Sequence, residues 1–470
     1  MNDKISIDIG KAIEAQTLPL INALPQAKLV LAYSGGVDSE CLAYGLSQFS
    51  QQYPHISCLL VHVHHGLSDN ADVWANHCIS QAQKYQLPIQ VERVRLQKAP
   101  RQSLEAVARD ARYGVFKKYL NKGDVLLTAH HQDDQLETLL LALKRGQGPK
   151  GLASMGVIQA FNLHSWIVRP LLDFTRQDIE AFAQQKQLCH IEDESNKDVQ
   201  FDRNFLRLEI IPLLKKRWPS ITATASRSAK LCAEQQEVIE HEVGNRLPLW
   251  LDTSTRFELP AFKLVELSSQ TAQWQALLFR GYTHYLGFNA PSQSQLEQVL
   301  HQLINAADDA KVDVNCGDYA IKRFNGKAFL VPQINKHEVL NLLSADDSGD
   351  DNLATQIELL FTGDTQQLDV ALGNTRYLLK IAKEGIRLKL ASSANVTIAY
   401  GAKGSIRCQP HFRDKGRELK KLWQELSVPY WQRSKIPLVF YNDTLVAAVG
   451  FWVDKRFLAE ENELGIYLLA

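Results

Sequence analysis

The 470-residue chain is too long for one ordinary domain and long enough for two or three, each burying its own core. Hydrophobic residues make up 45% and charged residues 22%, proportions of a globular protein that exclude a fibrous repeat or wholesale disorder. With 52 basic and 52 acidic side chains the net charge is zero, so a nucleic-acid partner would have to be met by a local basic face.

The N-terminus, MNDKISIDIGKAIEAQ, has no basic segment followed by an apolar stretch, and no apolar run reaches the roughly eighteen residues of a membrane span. Neither secretion nor a membrane is expected. Seven cysteines without a close pair fit a reduced cytoplasm, and the lack of CxxC removes the simplest zinc and iron–sulfur sites.

Up to residue 216, apolar runs at 29–33, 57–63, 89–94, 125–129 and 166–171 alternate with amphipathic stretches. This pattern predicts a doubly wound α/β domain with parallel strands joined by crossover helices. The first run leads into Ser34-Gly35-Gly36-Val37-Asp38-Ser39 and a helix beginning near Asp38. Adjacent glycines at a strand-to-helix junction let the backbone turn tightly and approach a phosphate, which free N–H groups and the helix dipole stabilise. Ser34 and Ser39 add hydroxyl donors. The GxxxxGK[ST] spacing of a Walker A loop is missing, and a capped Gly-Gly turn is the plain alternative.

Before the fourth run, Leu104, Val107, Ala108, Ala111 and Val115 recur at helical spacing. After it comes Thr128-Ala129-His130-His131-Gln132-Asp133-Asp134-Gln135-Leu136-Glu137-Thr138, where a second helix starts with Leu136, Leu139, Leu140 and Leu143 as its apolar stripe. If that helix begins by His130, then His130, Asp134 and Glu137 share its polar face. Taken alone, Asp133 and Asp134 read better as helix caps. A strand order of 3-2-1-4-5 changes this, because it sets the glycine loop and the acidic loop opposite each other at the switch point. A phosphate cradle facing acids is what a magnesium–nucleotide site requires, with Asp38 the first choice of Mg2+ ligand.

Residues 217–337 read as a mostly helical domain that includes a hairpin turning at Asn325-Gly326. Residues 338–352, with five acids and no Lys or Arg, read as a solvated linker. The remainder, 353–470, predicts a small α/β domain with strands at 356–361, 376–381 and 387–390, a basic helix over 411–426 and a hairpin turning at Asn442-Asp443. Residues 401–457 hold eleven Lys or Arg against five Asp or Glu, interleaved with Trp423, Tyr430, Trp431, Phe451 and Trp452. Such a surface suits RNA, while aromatics in the core beneath a soluble charged face are an equally good reading.

In its setting, SGGVDS resembles the PP-loop of the N-type ATP pyrophosphatases, which cleave ATP between the α and β phosphates and adenylate a carbonyl oxygen. The resemblance implies that Ser34, Gly35, Gly36, Val37, Asp38 and Ser39 hold ATP. Further stretches resemble the lysidine synthases within that family: Ala108-Arg109-Asp110-Ala111-Arg112-Tyr113, Gly146-Gln147-Gly148 to Gly151-Leu152, Arg169-Pro170-Leu171-Leu172, Asp193-Glu194-Ser195-Asn196 and Arg203-Asn204-Phe205-Leu206-Arg207. The resemblance covers residues 25–215 strongly and resumes at Val428-Pro429 to Trp431 and Ile436-Pro437-Leu438.

From the residues alone, Arg109 and Arg112 are solvated helix charges and Arg207 pairs with Glu209 or a neighbour. The resemblance implies more: Arg112 and Arg203 on phosphate or an adenylated intermediate, Asp134 and Glu137 on the ammonium groups of lysine, and His130 assisting. It implies a cytoplasmic ligase whose partners are tRNA, ATP with Mg2+, and L-lysine, with a homodimer left open. The rivals are a tRNA 2-thiolase, which needs a cysteine pair or an iron–sulfur cluster, and a nucleotide-sensing tRNA-binding protein without catalysis.

Overall fold

The computed structural model describes residues 7–468 except 23, 25, 67, 97–103, 163, 254–258, 308–309, 334–358, 362–364, 373–374 and 391–395. The chain forms two compact units, Met1–Glu242 and Val243–Ala470. Its expected linker at 338–352 lies outside the described residues.

The first unit runs α1 (Ile9–Ile21), β1 (Leu29–Ala32), α2 (Val37–Gln52), β2 (Cys58–His64), α3 (Ala71–Lys84), β3 (Ile89–Arg93), α4 (Leu104–Lys118), β4 (Val125–Leu127), α5 (Gln132–Lys144) and α6 (Pro149–Leu152). It continues through β5 (Ile158–Ala160), β6 (Trp166–Val168), α7 (Arg176–Gln185), α8 (Asp202–Phe205), a π turn (Leu206–Ile210), α9 (Ile211–Arg217) and most of α10 (Ile221–Trp250). The sheet order is β3-β2-β1-β4-β6-β5, parallel except for the antiparallel edge pair β5/β6. The expected 3-2-1-4-5 order is therefore present, with β6 as its fifth strand and one edge strand added.

Burial on both faces explains the uniformly apolar central strands. Leu29, Leu31, Val125 and Leu127 face a core shared with α1, α2 and α7, whereas Val30, Val61 and Leu126 pack with Val115 and Phe116 of α4 on the other side. The stripe of α5 faces elsewhere: Leu136, Leu139 and Leu140 pack against Leu206, Ile211, Ile221 and Ala225, and Leu143 is exposed. Helix α9 and the first turns of α10 thus pack with the first unit, which extends to Glu242, beyond the expected boundary at 216/217.

The second unit begins within α10 and adds β7 (Leu251–Asp252), β8 (Ala261–Lys263), α11 (Ala272–Tyr285), α12 (Gln293–Asn305), β9 (Asp313–Asn315), β10 (Tyr319–Phe324) and β11 (Lys327–Pro332). The helices cover an antiparallel sheet ordered β7-β8-β11-β10-β9, in which the Asn325-Gly326 hairpin is one of several pairings. Next come β12 (Gln367–Leu372), β13 (Thr375–Ala382), β14 (Arg387–Lys389), β15 (Val396–Tyr400), β16 (Arg407–Cys408), β17 (Arg417–Glu418), α13 (Leu419–Glu425), β18 (Pro437–Tyr441), β19 (Thr444–Ala448), β20 (Trp452–Val453) and β21 (Gly465–Tyr467).

Two of its expected elements differ. Residues 359–361, expected in a strand, are helical, with 356–358 outside the described residues, and the basic helix is confined to α13 because residues 411–416 form turns and Arg417-Glu418 pair with Arg407-Cys408. The hairpin at Asn442-Asp443 joins β18 to β19.

Candidate functional site

The glycine loop follows β1, and Gly36 is the extended N-cap of α2. Gly35 has φ +84, and a Cβ there would collide with Ile191 and lie 2.9 Å from Cys78 Sγ, so only glycine fits. The loop is held from within by Ser39, whose Oγ accepts from Gly35 N–H at 3.0 Å, donates to Gly36 O at 2.9 Å and lies 3.0 Å from Ser34 Oγ. Ser39's hydroxyl and Gly35's N–H are therefore spent on loop shape. The N–H groups of Val37, Asp38 and Ser39, in the first turn of α2, have no acceptor within their helix and are the donors an anion would meet. Outside, Ile191 N–H donates to Gly35 O at 2.9 Å. Behind the loop, the Tyr33 and Tyr85 hydroxyls donate to the fully buried Glu40.

The acids lie after β4, as the switch-point argument expects. Helix α5 begins at Gln132 rather than by His130, with His131 as its N-cap. His131 Nε2 stands 3.8 Å from Asp38 Oδ1 and 3.5 Å from Asp134 Oδ2, which brings the two loops together. Asp134 both accepts from His131 N–H at 3.0 Å, as a cap would, and joins the charged cluster. Asp133 is structural: it accepts from Arg176 N–H at 2.8 Å and from the Lys215 ammonium.

Two arginines complete the cluster. Arg176, at the start of α7, places Nη1 2.6 Å from Asp38 Oδ2. Arg207, on the π turn, donates through Nε to Glu137 Oε1 at 2.7 Å and through Nη2 to Glu137 Oε2 at 3.1 Å and Asp134 Oδ1 at 3.3 Å. Arg207, expected to pair with Glu209 or a neighbour, pairs from the π turn with Glu137 and Asp134 of α5. Glu137 is wholly buried, whereas the Arg207 side chain is 39% exposed.

Burial raises Asp38 above the ordinary carboxylate range, even though His131 and Arg176 pull the other way. Glu137 is raised too, by burial, against the pull of Arg207. Asp134 moves oppositely: burial works against its charge, but His131, His130, the His131 N–H and Arg207 together hold it below the usual range. His130 sits to one side, its Nδ1 3.0 Å from Thr128 Oγ1, and is held neutral chiefly by burial. Arg203 Nη2 donates to Thr138 Oγ1 at 3.3 Å, next to Glu137. Arg112 is exposed on α4, and its charge adds to the burial that chiefly lowers His65 just after β2. Asp38, Asp134, Glu137 and Arg203 thus share a crevice with His131, Arg176 and Arg207, three residues not selected from the sequence. The signals available were thin: Arg207 lies four residues after Arg203, and Arg176 opens a helix capped by Thr175.

Cys41, Cys58 and Cys78 of this unit are buried, their thiols pushed up to about 12 by burial, which suits core packing and not sulfur transfer. In the second unit Trp423 and Trp452 are buried core residues, and Phe451 packs on Trp423. Trp431 lies against Phe324 and Phe329, and Lys322 lies over both Tyr430 and Trp431.

Three family models match the chain: a PP-loop domain over residues 9–214, a TilS substrate binding domain over 262–329 and a TilS substrate C-terminal domain over 396–470. The tRNA(Ile)-lysidine synthase of Shewanella oneidensis is 52% identical over 450 residues, covering 94% of this chain and 95% of that protein. The chain belongs to the tRNA(Ile)-lysidine synthase family. That of Serratia proteamaculans is 39% identical over 437 residues, covering 93% of each. Among solved structures, the U34-tRNA thiolase of Methanococcus maripaludis aligns with a TM-score of 0.39 and 15% identity, over 48% of this chain and 80% of that one. As a lysidine synthase the chain is a tRNA-modifying enzyme with an ATP-binding PP-loop domain, and the crevice between its glycine loop and the acids of α5 is its candidate active site.

Proposed function

We propose that the enzyme joins free L-lysine to C2 of the wobble cytidine of a CAU-anticodon isoleucine tRNA through an adenylated tRNA, releasing AMP and pyrophosphate. The observation that carries this reading is the meeting, through His131, of Asp38 on the phosphate-binding turn with Asp134 on the acid helix. One crevice then offers donors for a triphosphate and carboxylates for an amine. In the first step the cytidine O2 attacks the α-phosphorus, forming a P–O bond as pyrophosphate leaves. The N–H groups of Val37, Asp38 and Ser39 hold phosphate oxygens, and Arg203, beside Glu137, takes the charge that develops.

Mg2+ fits Asp38: its Oδ1 is buried and has no hydrogen-bond partner, and a magnesium ion taken by one carboxylate and several phosphate oxygens needs no further protein cage. Such an ion supplies neutralisation of the triphosphate charge.

In the second step the lysine ε-nitrogen attacks C2, and the C2–O bond breaks as AMP leaves. An ammonium group of lysine takes the position that the Arg207 guanidinium occupies on Asp134 and Glu137. Of the two acids Glu137, raised by burial, is the better proton acceptor, and Asp134 the better permanent anion. The catalytic unit, the middle region to residue 337 and the region from 353 act together on tRNA in this reading, with the basic excess of 401–457 supplying phosphate contacts.

Kinetics of Glu137→Gln test the assignment. The lysine KM should rise and adenylated tRNA should accumulate while ATP consumption in the first step survives. Equal impairment of ATP use and lysine use would place Glu137 in the fold or the metal site and remove the lysine pocket.

A further inference from the structure

The helical arm that closes the acid helix has an outer face that the reaction chemistry leaves unexplained. Between Arg203 and Lys230 the sequence holds seven Lys or Arg against one acid, Glu209, and residues 210–233 contain no acid at all. Lys216, Arg217, Arg227 and Lys230 are exposed, and none has a carboxylate at ion-pair distance among the described residues. Large apolar side chains are exposed among them: Leu213 at 65%, Trp218 at 52% and Phe205 at 43%. The Arg217 guanidinium lies 5.9 Å from the centre of the Trp218 ring. These apolar groups do not spill over from the core, because the same helices pack through Ile211 and Ala225 against Leu136 of α5.

We propose that this outer face of α9 and the first half of α10 is an RNA-docking surface that seats a single-stranded tRNA loop beside the acid crevice. The proposal rests on the reaction given above and names where the catalytic unit itself grips its RNA. An unbalanced basic face demands a polyanion, and neutralising several phosphates releases their counterions. Exposed rings between those charges add what a duplex cannot use, since only unpaired bases present free faces for stacking. Position supplies the link to catalysis: Lys215 of α9 bonds to Asp133, one residue from Asp134, and Arg207 of the preceding π turn bonds to Glu137. A loop bound on this face lies against the elements that hold the acids. Of the rings considered for base stacking in the C-terminal region, Trp423 and Trp452 are core, whereas Trp218, between α9 and α10, is 52% exposed among the basic residues of this face.

Full-length wild type, Trp218→Ala, Trp218→Phe and the double variant Lys216→Ala/Arg217→Ala should be titrated with a labelled stem-loop RNA carrying the CAU loop and with a blunt duplex of the same stem. Trp218→Ala should bind the stem-loop about tenfold more weakly, with duplex binding unchanged and with Trp218→Phe close to wild type. The double variant should lower the slope of log affinity against log salt by about 0.7 for each single-strand phosphate that it no longer neutralises. ATP affinity should be unchanged in all of them, since these side chains are exposed and outside the crevice. Wild-type affinity and salt slope in both Ala variants would overturn the proposal, as would displacement of the RNA by poly-glutamate as readily as by single-stranded RNA, which would assign the face to an acidic protein. Failure of the reaction is separable. Weakened loop binding in Trp218→Ala beside a wild type that attaches no lysine to tRNA would uphold the surface and reject the reaction, and lysine attachment with unchanged loop binding would do the reverse.

Discussion

Substituting Arg207 by Ala tests the charge arrangement at the acid helix. Glu137 is wholly buried and both of its oxygens rest on Arg207, at 2.7 and 3.1 Å, while the arginine side chain is 39% exposed. Breaking a fully buried pair costs about 3–5 kcal/mol, and breaking an exposed one about 0–1 kcal/mol. With one partner in each condition the loss should be about 2 kcal/mol, or about 4–8 °C in the Tm of the Met1–Glu242 unit. Glu137→Gln should cost less, because the guanidinium left behind can hydrate. The pH dependence follows from burial, which already raises Glu137 above its unfolded value and would raise it further without Arg207. A carboxyl with a raised folded pKa penalises the folded state once it must ionise, so the variant's deficit should be largest at neutral pH. It should shrink as pH falls through the folded pKa towards the unfolded value, and vanish in Arg207→Ala/Glu137→Gln. Thermal unfolding between pH 7.5 and 5, followed by circular dichroism, reads all of this (values about two pH units apart suffice). A deficit that is independent of pH, or undiminished in the double variant, would refute the argument.

Other substitutions separate loop geometry from ligand binding. Gly35→Ala should destabilise the first unit by more than about 1 kcal/mol, because its φ of +84 and the Ile191 side chain leave no place for a methyl group. Gly36→Ala should fold normally, its Cβ meeting only Ser34 Oγ at 3.7 Å and Ile191 O at 4.0 Å, yet weaken ATP binding by crowding the phosphate approach, as calorimetry would show. Asp38→Ala should abolish Mg2+-dependent pyrophosphate release while changing stability by less than about 1 kcal/mol, since it removes a carboxylate that burial already disfavours. Trp431→Ala should destabilise the second unit by about 2 kcal/mol without altering ATP affinity, because Trp431 fills a partly buried site against Phe324 and Phe329.

The catalytic sheet was legible because each parallel strand is buried on both faces and so reads as a bare apolar run between helical stretches. Strand β5 was not, since all three of its residues are exposed and its pairing is provided by the free edge of β6. In the second unit the hairpins turning at Asn325-Gly326 and Asn442-Asp443 and the strands near 376–381 and 387–390 were legible, whereas β7, β8 and β9 were not, because two or three residues are too few to carry a strand's periodicity. The glycine loop and the acids could be placed opposite each other by topology, but their partners could not. Arg207 and Glu137 are 70 positions apart, Arg176 and Asp38 are 138 apart, and a π turn sets the direction of one of these arginines. Composition left two readings of the basic aromatic region level, and burial decides only for particular rings: Trp423 and Trp452, set among basic residues, are core.

In the proposed reaction one crevice activates a tRNA with ATP and then delivers lysine to it. Purified protein incubated with ATP, Mg2+, isotopically labelled lysine and bulk tRNA tests it directly. Label should enter RNA in the CAU-anticodon isoleucine tRNA alone, in equal amount to AMP and pyrophosphate released, and should fail to enter when ATP is omitted or Asp38 is Ala. AMP release with tRNA and lysine present but no label in RNA, or labelling that persists without ATP, would contradict it.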